Sequence, residues 1–314
     1  MTAPKIINFM GQRKIAAAFS ILLLVASIVS LSTNGLKLGL DFTGGTQVEV
    51  GYAEPAHVEN IRQQLTDAGF NNPVVVEYGS EKEVMIRLQK EEVELSSTEA
   101  DGRPDMTDRI SAALSSDGSE FEIRQVNVVG PQIGEELRDD GGLGMLAALA
   151  IVMLYVAVRF QYKFSVAAVA ALIHDVIITL GFFSMLQLEF DLTVLAAVLA
   201  VIGYSLNDTI VVADRIRENF RLLRKSSSIE VINESLTQTL GRTVITSLTT
   251  MLVLAALYFV GGELIHNFSV ALLVGVGIGT YSSIYVAANL LLMLHIDRED
   301  LMPQEREELV DDMP

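Results

Sequence analysis

The chain has 314 residues, 50% of them hydrophobic, yet its formal net charge is −17 because 39 acidic side chains outnumber 22 basic ones. It has no cysteine, which excludes disulfides, cysteine-based metal sites and thiol chemistry. The acidic balance argues against nucleic acid as a partner, since phosphate binding needs a basic face. Apolar excess and large net charge coexist when apolar membrane spans are joined to a separate, solvated acidic part.

Six stretches are long and apolar enough to cross a lipid bilayer, whose ~30 Å hydrocarbon core needs about 20 helical residues. They are residues 15–31, 141–158, 165–188, 192–213, 244–260 and 267–294. The first follows Lys5, Arg13 and Lys14 and precedes small residues, so it also fits a secretory signal peptide. We favour a retained anchor, because its apolar run is long for a signal peptide. Both interpretations send the following segment outward.

Basic residues set the predicted orientation of the spans. Arg and Lys are concentrated in the loops after the second and fourth spans, whereas loops 187–191 and 261–266 contain acidic residues and no Arg or Lys. Because such positive residues mark the cytoplasmic side, both chain ends are predicted there, residues 1–14 and the acidic tail 295–314. Segment 32–140 is then a periplasmic domain of a multi-pass protein in a bacterial inner membrane.

Segment 32–140 contains patterns of both strands and helices. The periodicities predict a strand at 45–51, a helix at 55–68 with Pro55 in its first turn, strands at 73–77 and 84–88, a helix at 106–114 and a strand at 121–129. The order βαββαβ is typical of a ferredoxin-like domain. The acidic stretch 91–105 predicts a mobile loop. His57 has no second ligand nearby, so we expect no metal site, and the domain either handles a polypeptide or partner or acts as a rigid lever.

Ionisable residues inside the spans are the strongest functional signal, because their burial in a membrane is costly and they usually face the bundle interior. Asn207 and Asp208 lie in the fourth span, and His174 and Asp175 lie in the third. At 1.5 Å per residue, Asp175 is about 13 Å and Asp208 about 9 Å from the cytoplasmic ends of their spans. We therefore expect the two carboxylates at comparable depth.

The fifth and sixth spans add a cation, hydroxyls and small residues. Arg242 begins the fifth span, and Thr246 and Thr250 share one of its faces, so these groups are predicted to complete a proton path with Asp208, Asn207, Asp175 and His174. The alternative is an interhelical bond without turnover for Asp208, and a purely orienting role for Arg242. The sixth span contains small residues at intervals of four, which predict close helix packing rather than chemistry: Ala271, Gly275, Gly279 and Ser283.

Several motifs recur in an order that is known from one family. GLDFTGGT at 39–46 follows the first span, and GYSLNDTIVV at 203–212 lies in the fourth. Shorter runs are ALIHD at 171–175, RTVITSLTT at 242–250 and GTYSSI at 279–284. Together they resemble the SecD/SecF family of protein-export membrane proteins over nearly the whole chain. With one set of six spans, the chain resembles the SecF members rather than SecD or fused SecDF members.

The resemblance implies half of a bundle of the resistance-nodulation-division superfamily, with SecD supplying the other half. It implies export of unfolded secretory polypeptides beside SecYEG, with YajC as a further partner, protons as the coupling ion, and no cofactor or metal. The family's proton-path Asp and Arg match Asp208 and Arg242. Asp41, Gly44 and Gly45 would form a hinge to the outer domain, because paired glycines permit backbone conformations that other residues resist.

The expected function is therefore a non-enzymatic, proton-driven motor that assists late translocation. Two alternatives stay open. A passive translocon scaffold would use Asp208 and Arg242 only as a structural pair. An exporter of small molecules or lipids from the same superfamily would be marked by two six-span repeats in one chain.

Overall fold

A computed structural model describes residues 6–71, 73–89, 106–115, 119–223 and 225–297. The predicted mobile loop 91–105 lies outside the described residues, as do residues 1–5 and most of the predicted acidic tail. The helices are α1 (Arg13–Thr33), α2 (Leu40–Thr43), α3 (Val58–Asp67), α4 (Met106–Leu114), α5 (Pro131–Arg159), α6 (Tyr162–Leu186), α7 (Leu192–Leu222), α8 (Ser228–Val260) and α9 (Glu263–Met293). The strands are β1 (Lys37–Leu38), β2 (Gly45–Tyr52), β3 (Val74–Tyr78), β4 (Ser80–Gln89), β5 (Phe121–Val129) and β6 (Glu189–Phe190).

Six of the described helices are long and apolar enough to cross a membrane, namely α1 and α5 to α9. This confirms the predicted fold class of six membrane helices with an α+β domain between the first two. Three helices extend well beyond the predicted spans: α5 begins at Pro131, α7 continues to Leu222 and α8 begins at Ser228. The 31 residues of α7 measure about 46 Å, more than the ~30 Å hydrocarbon core, so its polar last turns continue as helix where water is available.

The helices α6, α7 and α9 form the buried centre of the bundle, and α1 packs on α6. By contrast, α5 and α8 present mostly exposed apolar side chains. At the end of the bundle remote from the α+β domain, the segment before α1 folds onto α8. There the Met10 backbone N–H donates to Asn233 Oδ1 (2.9 Å), and a capping box formed by Ser227 and Glu230 begins α8.

The domain between α1 and α5 has the predicted βαββαβ order, built from β2, α3, β3, β4, α4 and β5. Its antiparallel sheet has the order β3-β4-β2-β5, the arrangement of a ferredoxin-like fold. The two helices cover one face, burying a core that includes Val48, Leu65, Ile86 and Ile110. The expectation that Pro55 lies in the first turn of α3 is wrong. The Ala56 N–H bonds to the Glu81 carbonyl on β4 (2.7 Å), so the chain becomes helical only at Val58.

A junction formed by residues 37–43 and 189–192 joins the domain to the membrane helices. In it, β1 and β6 pair in parallel, and the Gly39 N–H donates to the Phe190 carbonyl (2.8 Å). Asp41 Oδ2 accepts from the backbone N–H of Leu192, the first residue of α7 (3.1 Å). Because the first N–H groups of a helix lack intrahelical partners, this carboxylate caps α7 from a distant part of the chain.

The junction geometry can be tested at Gly45, the residue at which the chain leaves the junction and enters β2. Its φ is +150°, and a Cβ there would overlap the Leu88 carbonyl and the Leu40 side chain. Gly35 also has positive φ (+67°) but open space around it. We expect Gly45→Ala to lower the melting temperature of the purified protein far more than Gly35→Ala, whose backbone strain alone costs about 1–2 kcal/mol. Equal melting temperatures for the two variants would contradict the close approach at Gly45.

Candidate functional site

Asp175 on α6 is a fully buried carboxylate that accepts hydrogen bonds from three neighbouring residues. Its Oδ2 accepts from Ser205 of α7 (2.5 Å) and from Ser282 of α9 (2.7 Å). Its Oδ1 lies 2.8 Å from Nδ1 of His174, whose side chain is 3% exposed. Because a buried charge without donors is strongly destabilising, these contacts are what allow Asp175 to lie between three helices.

Asp208 on α7 is also buried and is held by donors from two other helices. Thr243 of α8 donates to Oδ1 (3.1 Å), and Ser283 of α9 donates to Oδ2 (3.2 Å). Among the described residues, these two hydroxyls are the only hydrogen-bond donors to the Asp208 side chain. A proton added to this carboxylate would convert one of its oxygens from an acceptor into a donor and so disturb one of the two contacts.

The two carboxylates and their hydroxyl donors form one cluster. The donors Ser282 and Ser283 are adjacent on α9, so a single turn of that helix contacts both carboxylates. Ser205 lies one turn before Asp208 on α7 and binds the other carboxylate. The structure thus places Asp175 and Asp208 at one level of the bundle. We call these side chains the carboxylate cluster: Asp175, Asp208, Ser205, Thr243, Ser282 and Ser283.

The small residues of α9 bring this helix close enough to α7 for the cluster to form. A Cβ on Gly275 would overlap Val201, and a Cβ on Gly279 would lie 3.1 Å from the Ser205 Cβ. Ala271 is fully buried in the same interface. The fourth member of the stripe, Ser283, combines packing with chemistry, because its hydroxyl reaches Asp208. The prediction of packing alone is therefore incomplete for Ser283.

Four predicted site residues are not brought into the cluster. Arg242 is exposed and, within the described part of the chain, makes no ion pair shorter than 4.0 Å, although it attracts Asp208 electrostatically. Thr246 donates to the Arg242 carbonyl (2.8 Å) and Thr250 to the Thr246 carbonyl (2.9 Å). Such bonds to the preceding helical turn satisfy the hydroxyls locally. Asn207 faces outward from α7.

Three members of the cluster were not singled out from the sequence: Ser205, Thr243 and Ser282. Thr243 directly follows Arg242. Its side chain faces the bundle interior, whereas that of Thr246 is half-exposed. Ser282 and Ser283 lie within the GTYSSI run, which was the available signal. Serine and threonine are common in membrane helices, so residue type alone does not distinguish a carboxylate donor from a packing residue.

The predicted hinge residues lie where the junction meets the sheet. Gly44 has φ +72° and ends α2, and Gly45 begins β2. A Cβ on Gly134 would lie 2.8 Å from the Gly44 nitrogen, so α2 is packed directly on α5. Arg87 on β4 makes an ion pair with Glu189 of β6 (2.7 Å), and both side chains are mostly buried. The junction is thus bound both to α5 and to the sheet, and the role of Gly44 and Gly45 as a hinge stays a prediction.

The cluster is not arranged for covalent catalysis. Ser205 and Ser282 donate to the Asp175 carboxylate rather than to the His174 imidazole, so the imidazole does not act as a base on either hydroxyl. Among the residues that the structure describes, no group of three or more His, Asp and Glu side chains is placed to hold a metal ion. What the arrangement offers is exchange of protons and of hydrogen bonds.

Comparison with known proteins identifies the family. Residues 109–297 match the sequence profile described as "Protein export membrane protein SecD/SecF, C-terminal", and residues 29–56 match the SecD/SecF GG motif. The chain belongs to the SecD/SecF family. The second match spans Asp41, Gly44 and Gly45, and the first spans the whole carboxylate cluster. The resemblance inferred from the motifs is confirmed.

Relatives within the SecD/SecF family match the chain from end to end. It is 48% identical to "Protein translocase subunit SecF" of Pseudomonas aeruginosa, with 98% of both chains covered. The same subunit of Vibrio alginolyticus is 49% identical over 98% of this chain and 96% of its own. That of Escherichia coli O157:H7 is 42% identical over 99% and 94%. The chain is therefore a multi-pass membrane protein of the SecF type.

Solved structures of fused SecDF proteins share the fold. Thermus thermophilus SecDF, described as a translocon-associated membrane protein, superposes with a TM-score of 0.77 at 37% identity. A super-membrane-facing form of SecDF gives 0.69 at 38% identity. In each comparison 94% of this chain is covered but only 39% of the SecDF chain. The chain spans about two fifths of these larger proteins.

The Arg87–Glu189 ion pair gives a test of how firmly the domain is held. We expect Arg87→Glu or Glu189→Arg alone to place like charges together and to open the junction, while the double exchange restores it. A charged hydrogen bond contributes about 1.5–3 kcal/mol, which corresponds to at least about tenfold faster amide hydrogen exchange in residues 37–43. Exchange measured by mass spectrometry checks this, with Arg138→Glu, at an exposed residue, as control. Unchanged exchange in both single variants would contradict it.

Proposed function

We propose that this chain is the SecF-type subunit of the bacterial Sec export machinery, and that it uses the proton gradient together with SecD to assist late translocation of polypeptides. The observation that carries the proposal is Asp208, a membrane carboxylate buried between α7, α8 and α9. A buried ionisable group inside membrane helices is a functional site by default. The names of the relatives and of the solved SecDF structures supply the cargo and the pathway.

In this proposal Asp208 is the proton carrier. Protonation neutralises the carboxylate and ends its electrostatic attraction to Arg242. It also turns one carboxylate oxygen into a donor, so the hydrogen bond from either Thr243 of α8 or Ser283 of α9 is rearranged while the other is kept. A hydrogen bond to a charged group contributes about 1.5–3 kcal/mol, so its rearrangement is enough to shift a two-state equilibrium.

The junction supplies a route from the proton site to the domain. Asp208 and the capped Leu192 lie on the same helix, and the loop that precedes Leu192 is bound to β1 and to Arg87. A tilt of α7 therefore acts on the domain through the junction. In the cell we place the domain in the periplasm and both chain ends in the cytoplasm of the inner membrane, as the distribution of Arg and Lys predicts.

SecD is the partner that fits the exposed side of the bundle. Gly203 and Asn207 of α7 and Arg242 of α8 face outward, and α5 buries almost none of its apolar residues. In the larger SecDF chains, the portion that this chain does not match is available to cover such a face. We propose that SecD does so here, that SecYEG is the channel served, and that YajC is a further partner.

The proposed role is non-catalytic and needs no cofactor other than protons. The passive scaffold stays the main alternative, since hydrogen bonds to Asp208 would also stabilise an assembly without turnover. Export of small molecules or lipids has less support, because the three relatives described above are each named as a protein translocase subunit.

Replacement of the proton carrier distinguishes a motor from a scaffold. We expect Asp208→Asn to assemble with SecD but to leave export of a secreted reporter close to the level of cells that lack the protein. The amide is nearly isosteric and accepts hydrogen bonds, but it cannot be charged or carry a proton. Reporter export is measured at matched membrane levels, with SecD co-purification monitored. Asp139→Asn, at an exposed carboxylate, is the matched control.

Full export by the Asp208→Asn protein, with normal assembly, would exclude Asp208 as the proton carrier and favour the scaffold. Loss of both export and SecD co-purification would also favour the scaffold, because the carboxylate would then be needed for assembly.

The proposed SecD face has its own test. A Cβ built on Gly203 would contact no neighbouring helix within 4 Å, and the residue is exposed, so we expect a leucine there to be tolerated within the subunit. We expect Gly203→Leu to reduce co-purification of SecD while the isolated subunit keeps its melting temperature. Ala18→Leu, at an exposed position on α1, is the control and should leave co-purification unchanged. Normal co-purification of SecD with the Gly203→Leu protein would place SecD elsewhere.

A further inference from the structure

A cavity of about 470 Å³ lies between the junction, the neighbouring end of the sheet and the first turns of α5. Its walls come from β1, α2, β3, β4, α5 and β6, so distant parts of the chain meet there. The volume falls within the ~300–1,000 Å³ that is usual for ligand pockets. No member of the carboxylate cluster lines it. The cavity is therefore a separate candidate binding site.

The cavity lies at the level where the membrane helices leave the bilayer. Phe42 lines it, and a Cβ built on Gly141, the first residue of the predicted second span, would lie 3.7 Å from Phe42 Cε1. Glu189 also lines it, just before α7 begins at Leu192. Because the hydrocarbon core measures ~30 Å and the whole bilayer about 40–45 Å, the head groups occupy roughly 5–8 Å on each side. Both contacts place the cavity beside this head-group layer.

Two cationic side chains line the cavity and are accessible from outside. Arg138 precedes Gly141 by one turn, about 4.5 Å along α5, so its backbone lies within the head-group layer. Its side chain is 54% exposed and contacts the neighbouring Asp139 at 3.4 Å, the long limit of a hydrogen bond. Lys37 of β1 is exposed and makes no side-chain hydrogen bond or ion pair among the described residues. An anion at this depth can reach both side chains.

The anionic side chains of the cavity are Glu135 and Glu189. Glu189 is paired with Arg87 (2.7 Å), so these two charges cancel. Glu135 lies one turn further from the bilayer than Arg138, about 9 Å along α5 from the start of the predicted span. Three cations and two anions line the cavity, a net charge of +1 in a chain whose net charge is −17. The cavity is therefore a locally cationic site in an acidic protein.

Most of the other lining side chains are apolar and come from the junction and the sheet: Leu38, Leu40, Phe42, Val74 and Leu88. A free inorganic anion gains nothing from such a wall, because its affinity comes from charge and hydrogen bonds. A glycerophospholipid has both chemistries, since its phosphate is joined through glycerol to acyl chains. Basic pockets beside membrane helices are typical sites for anionic lipid head groups.

We propose that this cavity binds an anionic glycerophospholipid of the phosphatidylglycerol type, from the leaflet next to the domain. Lys37 and Arg138 donate to the phosphate, and the apolar wall contacts the glycerol and the first carbons of an acyl chain. Guanidinium and phosphate form charge-assisted hydrogen bonds, which are stronger than neutral ones. Arg87 stays paired with Glu189. The site depends on the membrane helices and not on the proton path, and in the orientation proposed above the leaflet is the periplasmic one.

Native mass spectrometry of the full chain in detergent tests the site, with dioleoyl-phosphatidylglycerol as the probe. We expect Lys37→Gln combined with Arg138→Gln to weaken binding of the first lipid by at least about tenfold, because each charge-assisted hydrogen bond contributes at least that factor. Lys82→Gln combined with Arg62→Gln removes the same two charges from the domain outside the cavity and should leave this binding unchanged.

A second pair of variants separates the cavity from general attraction between charges. Val74 on the edge strand β3 lines the cavity, whereas Val126 on the opposite edge strand β5 does not. The two valines are 36% and 37% exposed, so they are closely matched. We expect Val74→Trp to fill the cavity and weaken lipid binding with both cations in place, while Val126→Trp leaves binding unchanged. Their melting temperatures check that both proteins fold.

Two further probes distinguish the sources of the phosphate. We expect dioleoyl-phosphatidylethanolamine, whose head group has no net charge, to bind more weakly, and excess inorganic phosphate to leave phosphatidylglycerol bound. Displacement by inorganic phosphate, or equal affinity for the two lipids, would overturn the anionic lipid as the ligand. Unchanged lipid binding in both cavity variants would overturn the site, and if these variants instead lost binding of an unfolded secretory precursor, the cavity would be assigned to polypeptide. The junction experiment uses delipidated protein, so Arg138→Glu stays a valid control there.

Discussion

The close packing of α9 against α7 is the constraint on which the rest of the structure depends. Gly275 and Gly279 allow the two backbones to approach, and only at this separation do Ser282 and Ser283 reach carboxylates on two other helices. Without these hydroxyls, Asp175 would keep only Ser205 and His174 as hydrogen-bond partners and Asp208 only Thr243, and under-satisfied charges among apolar helices are costly. The close packing of α9 on α7 and the stabilisation of the two carboxylates therefore depend on each other. A change in the protonation of either carboxylate changes its hydrogen bonds to α9.

The helix α7 also connects the carboxylate cluster to the domain. Its first residue is capped by Asp41, and Asp191, the N-cap residue, caps the same first turn by accepting from the Val194 N–H (2.9 Å). The loop before α7 also binds α9, because Asn267 donates to the Glu189 carbonyl (3.1 Å). One short loop thus contacts the start of the domain, the sheet and two membrane helices. Residues 37–43 are therefore more firmly attached than a simple linker, and rotation at Gly44 and Gly45 stays a prediction.

Much of this fold could be predicted because its signals are local. A membrane span needs about 20 apolar residues in a row, and the βαββαβ domain shows its periods of 2 and 3.6 within short windows. Helix ends were less predictable, since polar residues such as Asp214 and Arg217 continue α7 in water as readily as they would end it. The junction had no local signal at all. Pairing of Lys37 with Glu189 involves two residues on each side, separated by most of the domain and two membrane helices.

The charged residues of the site could be predicted, because carboxylates in apolar spans are rare, but their partners depended on helix rotation. Arg242 and Thr243 are adjacent, yet one is exposed and the other is bound to Asp208. The sequence predicted Arg242 as the partner of Asp208. Within this subunit, Thr243 and Ser283 are the hydrogen-bond donors to Asp208 instead. An exposed guanidinium is costly in a bilayer unless an anion meets it. In the proposal that SecD covers the face that bears Arg242, SecD would supply a carboxylate to this guanidinium.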